Sequence, residues 1–238
     1  MKVSKFGGTS VASAEQIRKV FDIVTSDPER KVVVVSAPGK RFSADVKTTD
    51  LLIALADKYI RDGKADEEFE KVIARYCEIA EELDLGESIL REIEDDFKKR
   101  LKAHERDLER FLDSLKAGGE DNHAKLVACY FQKRGVMAEY VNPKDAGLVV
   151  SDEVGNAQVL QESYDRLLHL RKKEGIVVFP GFFGYSPEGN LVTFPRGGSD
   201  ITGAILAAAL NADLYENFTD VDSVYAVNPN IVEHPKEI

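Results

Sequence analysis

The chain has 238 residues, 43% of them hydrophobic, enough to bury one substantial core in a single domain. Its 32 Lys and Arg stand against 42 Asp and Glu, and the formal net charge of -10 argues against nucleic acid as the main partner. No apolar run reaches the roughly 18 residues of a membrane span, and the spacing of Cys77 and Cys129 fits neither a metal site nor a redox pair, so a cytoplasmic protein with buried free thiols is expected.

In chain order, a strand at Val3 to Phe6 runs into Gly7-Gly8-Thr9-Ser10, and Ile17, Val20, Phe21 and Val24 mark one face of a following helix. Val32 to Val35 is β-branched at every position, which suits a central strand covered on both faces. A polar loop leads to a helix starting near Thr48 to Asp50. From about 64 to 117 the chain reads as a charged helical lobe inserted in the domain. Its apolar positions keep helical spacing without the strict heptad of a coiled coil. Alternation then resumes with a helix near Asp121 to Arg134, a strand near Val136 to Val141 and a helix near Gln158 to Glu174. A buried strand at Ile176 to Phe179 ends at Pro180-Gly181, and a β-hairpin turns at Ser186 to Asn190. An Ala-rich helix at Ile201 to Leu210 and a strand at Asp213 to Phe218 follow. The sum is a three-layer α/β/α sandwich with a mainly parallel sheet.

Two glycine pairs carry the strongest chemical signal. Gly7-Gly8 and Gly197-Gly198 each stand at the expected mouth of a helix, where backbone N–H groups can approach an anion, and each has a cation beside it, Lys5 or Arg196. Either pair alone is a weak signal, because glycine before a helix is often only a tight connection, and it is the two together that carry weight. Gly39-Lys40 lacks the remaining residues of a P-loop, and the protein-kinase signatures are missing, so a different phosphate-binding architecture is implied.

Lys5-Phe6-Gly7-Gly8-Thr9-Ser10, Gly119-Glu120, Phe194-Pro195-Arg196-Gly197-Gly198-Ser199-Asp200 and Thr219-Asp220-Val221-Asp222, with Tyr225 and Asn228-Pro229 beyond, occur in the order that resembles the aspartokinases, within the amino acid kinase superfamily. The resemblance implies transfer of the γ-phosphoryl group of ATP, carried with Mg²⁺, to L-aspartate. It implies Lys5 and Asp200 as catalytic residues and Gly7, Gly8 and Ser10 as the phosphate cradle. Arg196 would grip the α-carboxylate of aspartate and Glu120 its ammonium, with Ser36, Thr49 and Ser199 lining the same site. Thr219, Asp220, Asp222 and Tyr225 would hold the adenosine side. No histidine is needed, because the acceptor carboxylate is already ionised at neutral pH. No metal ligands of the protein's own are implied, and self-association is left open.

Alternative roles remain. Asp200 could cap a helix as well as orient Lys5, the hydroxyls could be caps, and the Thr219 to Asp222 stretch could be a plain acidic turn. Two departures stand out from the family pattern: Asp121-Asn122-His123-Ala124 after Glu120, and Asn230 where many members carry arginine. The resemblance further implies helices, a nucleotide-holding lysine and ACT regulatory domains beyond residue 238, so the chain reads as a truncated catalytic domain. Another amino acid kinase, or a catalytically silent nucleotide- or aspartate-binding module, are the alternative functions.

Overall fold

Val32, Val33, Val34 and Val35 are all fully buried, and they lie where an unbroken β-branched run must lie, in the middle of a sheet. The computed structural model describes residues 1–103 and 107–219. The chain begins with β1 (Lys2–Phe6), α1 (Ala14–Thr25) and β2 (Arg30–Val35), then makes four helices, α2 (Thr48–Asp62), α3 (Asp66–Glu82), α4 (Glu87–Lys102) and α5 (Leu108–Lys133). After β3 (Ala138–Tyr140) come the short α6 (Pro143–Ala146) and α7 (Glu162–Leu167), then β4 (Ile176–Pro180), the hairpin β5 (Phe183–Tyr185) and β6 (Leu191–Thr193), α8 (Gly198–Ala209) and β7 (Leu214–Phe218).

The five-stranded sheet has the order β3-β4-β2-β1-β7, and every pairing in it is parallel. Because side chains alternate along a strand, β2 feeds two separate cores. Val33 and Val35 join Phe6 against Ile17 and Val20 of α1, Leu52 of α2, and Val127 and Phe131 of α5. Val32 and Val34 join Val3 and Phe179 against Leu167 of α7 and Leu206 of α8. This is the expected three-layer arrangement. The charged segment contributes to the first core as well, through Tyr76 and Ile79 of α3 and Ile93 and Phe97 of α4.

Two expected boundaries need correction. The helix placed near Asp121 to Arg134 starts at Leu108 and runs unbroken for 26 residues through Gly118-Gly119. Close packing explains those glycines: a Cβ on Gly118 would lie 2.9 Å from the Phe97 ring, and one on Gly119 would lie 3.1 Å from the Cβ of Ala37. The helix expected over Gln158 to Glu174 is only α7 followed by a 3-10 turn, Leu168–Lys172. Cys77 and Cys129 are free but half-buried rather than buried. Among the described residues no helix is long and apolar enough to cross a membrane.

Candidate active site

The parallel register brings four chain segments out at one edge. Phe6 pairs with Val35 on one side and Phe218 on the other, and Val35 pairs with Pro180. The residues that follow these ends, Gly7, Ser36, Gly181 and Thr219, therefore emerge together at the carboxyl ends of the strands, where open parallel sheets bind ligands. The backbones approach closely there. Gly39 N–H donates to the Gly8 carbonyl at 2.8 Å. A Cβ on Gly39 would lie 2.5 Å from the Gly8 carbonyl carbon, and one on Gly181 would lie 2.6 Å from the Cβ of Ser199, so neither position accommodates a side chain without movement.

Lys5 and Asp200, from the first and third sequence motifs, meet in this cleft with Nζ 2.7 Å from Oδ1. Lys5 is only 8% exposed, whereas the Asp200 side chain is 47% exposed and open to a ligand. Asp200 makes no capping bond. Gly197 is the N-cap of α8, in the left-handed conformation with φ 84°, and Asp200 lies in the first turn with its carboxylate turned to Lys5. The capping role expected as an alternative is thus replaced by the ion pair. The first glycine pair also differs from expectation, since a 3-10 turn at Thr9–Val11 and the N-cap Ser13 separate it from α1. Ser10 is half-buried in that turn. Arg196 is exposed and pairs with no described residue, while Ser199 is buried beside Gly181. The amide of Ser36 donates to the Phe6 carbonyl at 3.2 Å, and Thr49 is half-buried in the first turn of α2.

Glu120 reaches the same end of the sheet from the middle of α5. It is 6% exposed, and its Oε2 has no hydrogen-bond partner among the described residues. Burial pushes its carboxyl up to about 8, against the opposing pull of the Ala37 backbone N–H and the charge of Lys116. His123, one turn further on, is fully buried, and its two ring nitrogens have no described partner. Burial, with the positive charge of Arg75 nearby, lowers it to about 3, so it packs as a neutral ring. His169 is exposed.

Sequence reasoning missed a third cation beside the site. Lys116 lies one turn before Glu120, 2.8 Å from buried Asp113 and 5.8 Å from the centre of the Phe182 ring. Asp113 in turn accepts from the amides of Gly155 at 2.9 Å and Thr193 at 3.0 Å, tying α5 to the hairpin region. An Asp and Lys three apart in a charged helix look like a solvated face, and only the spacing of Lys116 and Asp113 one and two turns before Glu120 could have singled them out. Phe182, which follows Pro180-Gly181, has φ 80°, a strained value for a residue with a side chain. Thr219 is exposed just beyond β7, while Asp220, Asp222, Tyr225 and Asn228-Pro229 lie outside the described residues.

Aspartokinase 3 of Bacillus subtilis is 61% identical over 238 residues, which is 100% of this chain and 52% of that protein. Escherichia coli aspartokinase III in complex with aspartate and ADP superposes with a TM-score of 0.83 at 30% identity, over 100% of this chain and 53% of that one. Clostridium acetobutylicum aspartate kinase gives 0.81 at 35% identity, over 99% and 51%. The chain thus spans about half the length of these relatives. Residues 1–238 match the description "Amino acid kinase family", and with the parallel sheet and the glycine turns at its carboxyl edge this establishes that the chain belongs to the amino acid kinase family.

Proposed function

We propose that the chain carries the catalytic site of an aspartate kinase, which transfers the γ-phosphoryl group of ATP to the side-chain carboxylate of L-aspartate, giving 4-phospho-L-aspartate and ADP. The observation that carries this reading is the Lys5–Asp200 pair at 2.7 Å, set between two glycine turns at the carboxyl edge of the sheet. The aspartate and ADP bound by the E. coli relative support it further.

In this reading the substrate carboxylate oxygen attacks the γ-phosphorus in line, and the bridging oxygen leaves with ADP. The acceptor is already ionised, so catalysis rests on positioning and charge neutralisation, with Mg²⁺ arriving as part of the nucleotide substrate. Lys5 neutralises charge on the transferring group, Asp200 holds the lysine in place, and the backbone at Gly7, Gly8 and Ser10 receives the phosphates. Arg196, an exposed cation with no described partner, suits the α-carboxylate, and the unpaired Oε2 of Glu120 suits the α-ammonium. Ser36, Thr49 and Ser199 line the amino acid side. Thr219, Asp220, Asp222 and Tyr225 are assigned to the adenosine side. The product would stand at the first step toward lysine, threonine and methionine, in the cytoplasm.

The test is to incubate the chain with MgATP, L-aspartate and hydroxylamine, which traps an acyl phosphate as its hydroxamate. Aspartyl hydroxamate in step with ADP release is expected. Ligand binding without hydroxamate would mark a silent binding module, and hydroxamate from glutamate but not aspartate would reassign the substrate.

A further inference from the structure

The loop joining β2 to α2 borders both halves of the proposed site. At its start, Gly39 N–H is bonded to the Gly8 carbonyl; near its end, the amide of Thr48 donates to the Pro38 carbonyl at 3.1 Å. Thr49, assigned to the amino acid side, follows directly. Beyond Gly39 the loop has little apolar anchorage, since Phe42 and Val46 are 61% and 47% exposed. Its fastening comes from α3, in the segment whose charges read from sequence as a solvated face.

Arg75 of α3 is 4% exposed and sends Nη2 to three loop acceptors: the Gly39 carbonyl, Asp45 Oδ2 at 2.9 Å and the Val46 carbonyl at 3.4 Å. Asp45 also accepts from the backbone N–H of Arg41 at 2.9 Å and from its Nε at 2.8 Å, and Arg41 pairs in turn with Glu78 of α3. The result is an alternating chain of charges, Glu78, Arg41, Asp45 and Arg75, that begins and ends on one helix and encloses the loop. Both guanidinium groups hold the Asp45 carboxyl well below the ordinary carboxylate range, so the clasp persists across neutral pH. A buried cation spent on main-chain carbonyls stabilises one loop geometry, and removing it leaves a buried carbonyl unpaired.

We propose that Arg75 is a positioning residue for the acceptor side of the reaction, fixing the loop so that Gly39 seats against Gly8 and the start of α2 is presented to the amino acid. The inference rests on the functional reading above. Its direction follows from the geometry: the Gly8 turn is anchored on β1, whereas the first turn of α2, held further along by Leu52, has its N-terminal amide at Thr48 bonded to the Pro38 carbonyl of the loop. Loss of the clasp therefore weakens the amino acid more than the nucleotide.

The test uses Arg75→Met and Arg75→Lys in the full chain, with Asp45→Asn as a second route to the same link should Arg75→Met not fold. In Arg75→Met, amide hydrogen exchange over 39–48 should accelerate. L-aspartate affinity, read by titration calorimetry, should fall at least about tenfold, while that of a non-hydrolysable MgATP analogue stays within about twofold. Because all three bonds converge on one nitrogen, a lysine ammonium has enough donors to replace them, and Arg75→Lys should recover most of the loss. Unchanged loop exchange, equal losses for both ligands, or a lysine variant as impaired as the methionine one would each overturn the proposal. Should the unaltered chain bind nucleotide but not aspartate, the functional reading itself fails, and the exchange measurement, which needs no ligand, still decides whether Arg75 holds the loop.

Discussion

Burial leaves the carboxyl of Glu120 protonated up to about pH 8 in the folded chain, while the unfolded chain loses that proton near the ordinary glutamate value of about 4.5. The folded state therefore holds the proton more tightly, and this contribution to stability is complete below about pH 4.5 and lost as pH rises through about 8. Glu120→Gln should gain stability over the unaltered chain as pH climbs through that window, by up to about 1.4 kcal/mol for each pH unit, in melts taken from pH 5 to 9. The raised carboxyl also gives substrate binding a signature. If the α-ammonium of aspartate pairs with Glu120, it must ionise the carboxyl, so binding at pH 7 releases up to about one proton. Calorimetry in buffers of different ionisation enthalpy should show that release and lose it in Glu120→Gln; heats independent of buffer would remove Glu120 from the ammonium role. At Lys5 the expectation is simpler. Lys5→Ala removes the charge proposed to meet the transferring group, and aspartate-dependent ADP release should fall by about 10² or more while the melting temperature holds. Near-normal turnover in the folded variant would sink the assignment.

The turns and helices show which parts of the fold were legible and which were not. The central strand, the Gly197-Gly198 turn before α8 and the start of α2 at Thr48 were readable because β-branched runs, glycines and polar helix starts are local signals. The continuity of α5 was not. The lobe read as ending near 117 and a new helix as starting near Asp121, and only the close approach of Phe97, Ala37 and Leu52 to Gly118 and Gly119 explains why one helix runs through. Arg75 and Lys116 were hidden for a related reason: a charge that faces inward and one that faces water look alike until the partner element is in place. Gly39 stood in the sequence merely as part of a failed P-loop, yet its Cβ would fall 2.5 Å from the Gly8 carbonyl carbon and 2.6 Å from Thr9 N. Gly39→Ala must therefore displace one of the two turns. With the Gly8 turn anchored on β1, the loop is the part that yields, and a destabilisation of about 1 to 3 kcal/mol with a loss of L-aspartate affinity of about tenfold or more is expected, checked by melting and by titration calorimetry. Unaltered aspartate affinity would show that the start of α2 does not depend on this contact.

Across the whole molecule, one carboxylate fastens strands drawn from both ends of the described chain. Glu216 of β7 accepts from Arg30 Nε at 2.8 Å, from Arg30 Nη2 at 2.9 Å and from the Ser4 hydroxyl at 2.7 Å, so β7, β2 and β1 are tied across the sheet. Arg30 foremost, with the Ser4 hydroxyl helping, lowers the Glu216 carboxyl from its ordinary value, opposite to Glu120. Its stabilisation is therefore present above the ordinary glutamate range and lost as pH falls through its lowered folded value. Glu216→Gln should cost about 1 to 3 kcal/mol at neutral pH, with the difference shrinking toward strong acid. A mutant that melts with the unaltered chain at pH 7 would show that the tie contributes nothing. With Glu120 acting on the alkaline side and Glu216 on the acid side, stability should peak between them. The unbroken run of α5 has a mechanical consequence besides. At 26 residues it is a rod roughly 39 Å long, and Glu120 sits close to its midpoint. Arg100 of α4 clamps the rod beside that point through Asp121, at 2.7 Å. Between Leu108 and this point, Asp113 is bonded to the amides of Gly155 and Thr193, so the rod cannot turn at its outer end without breaking those bonds, and Glu120 is held at a fixed distance from the hairpin.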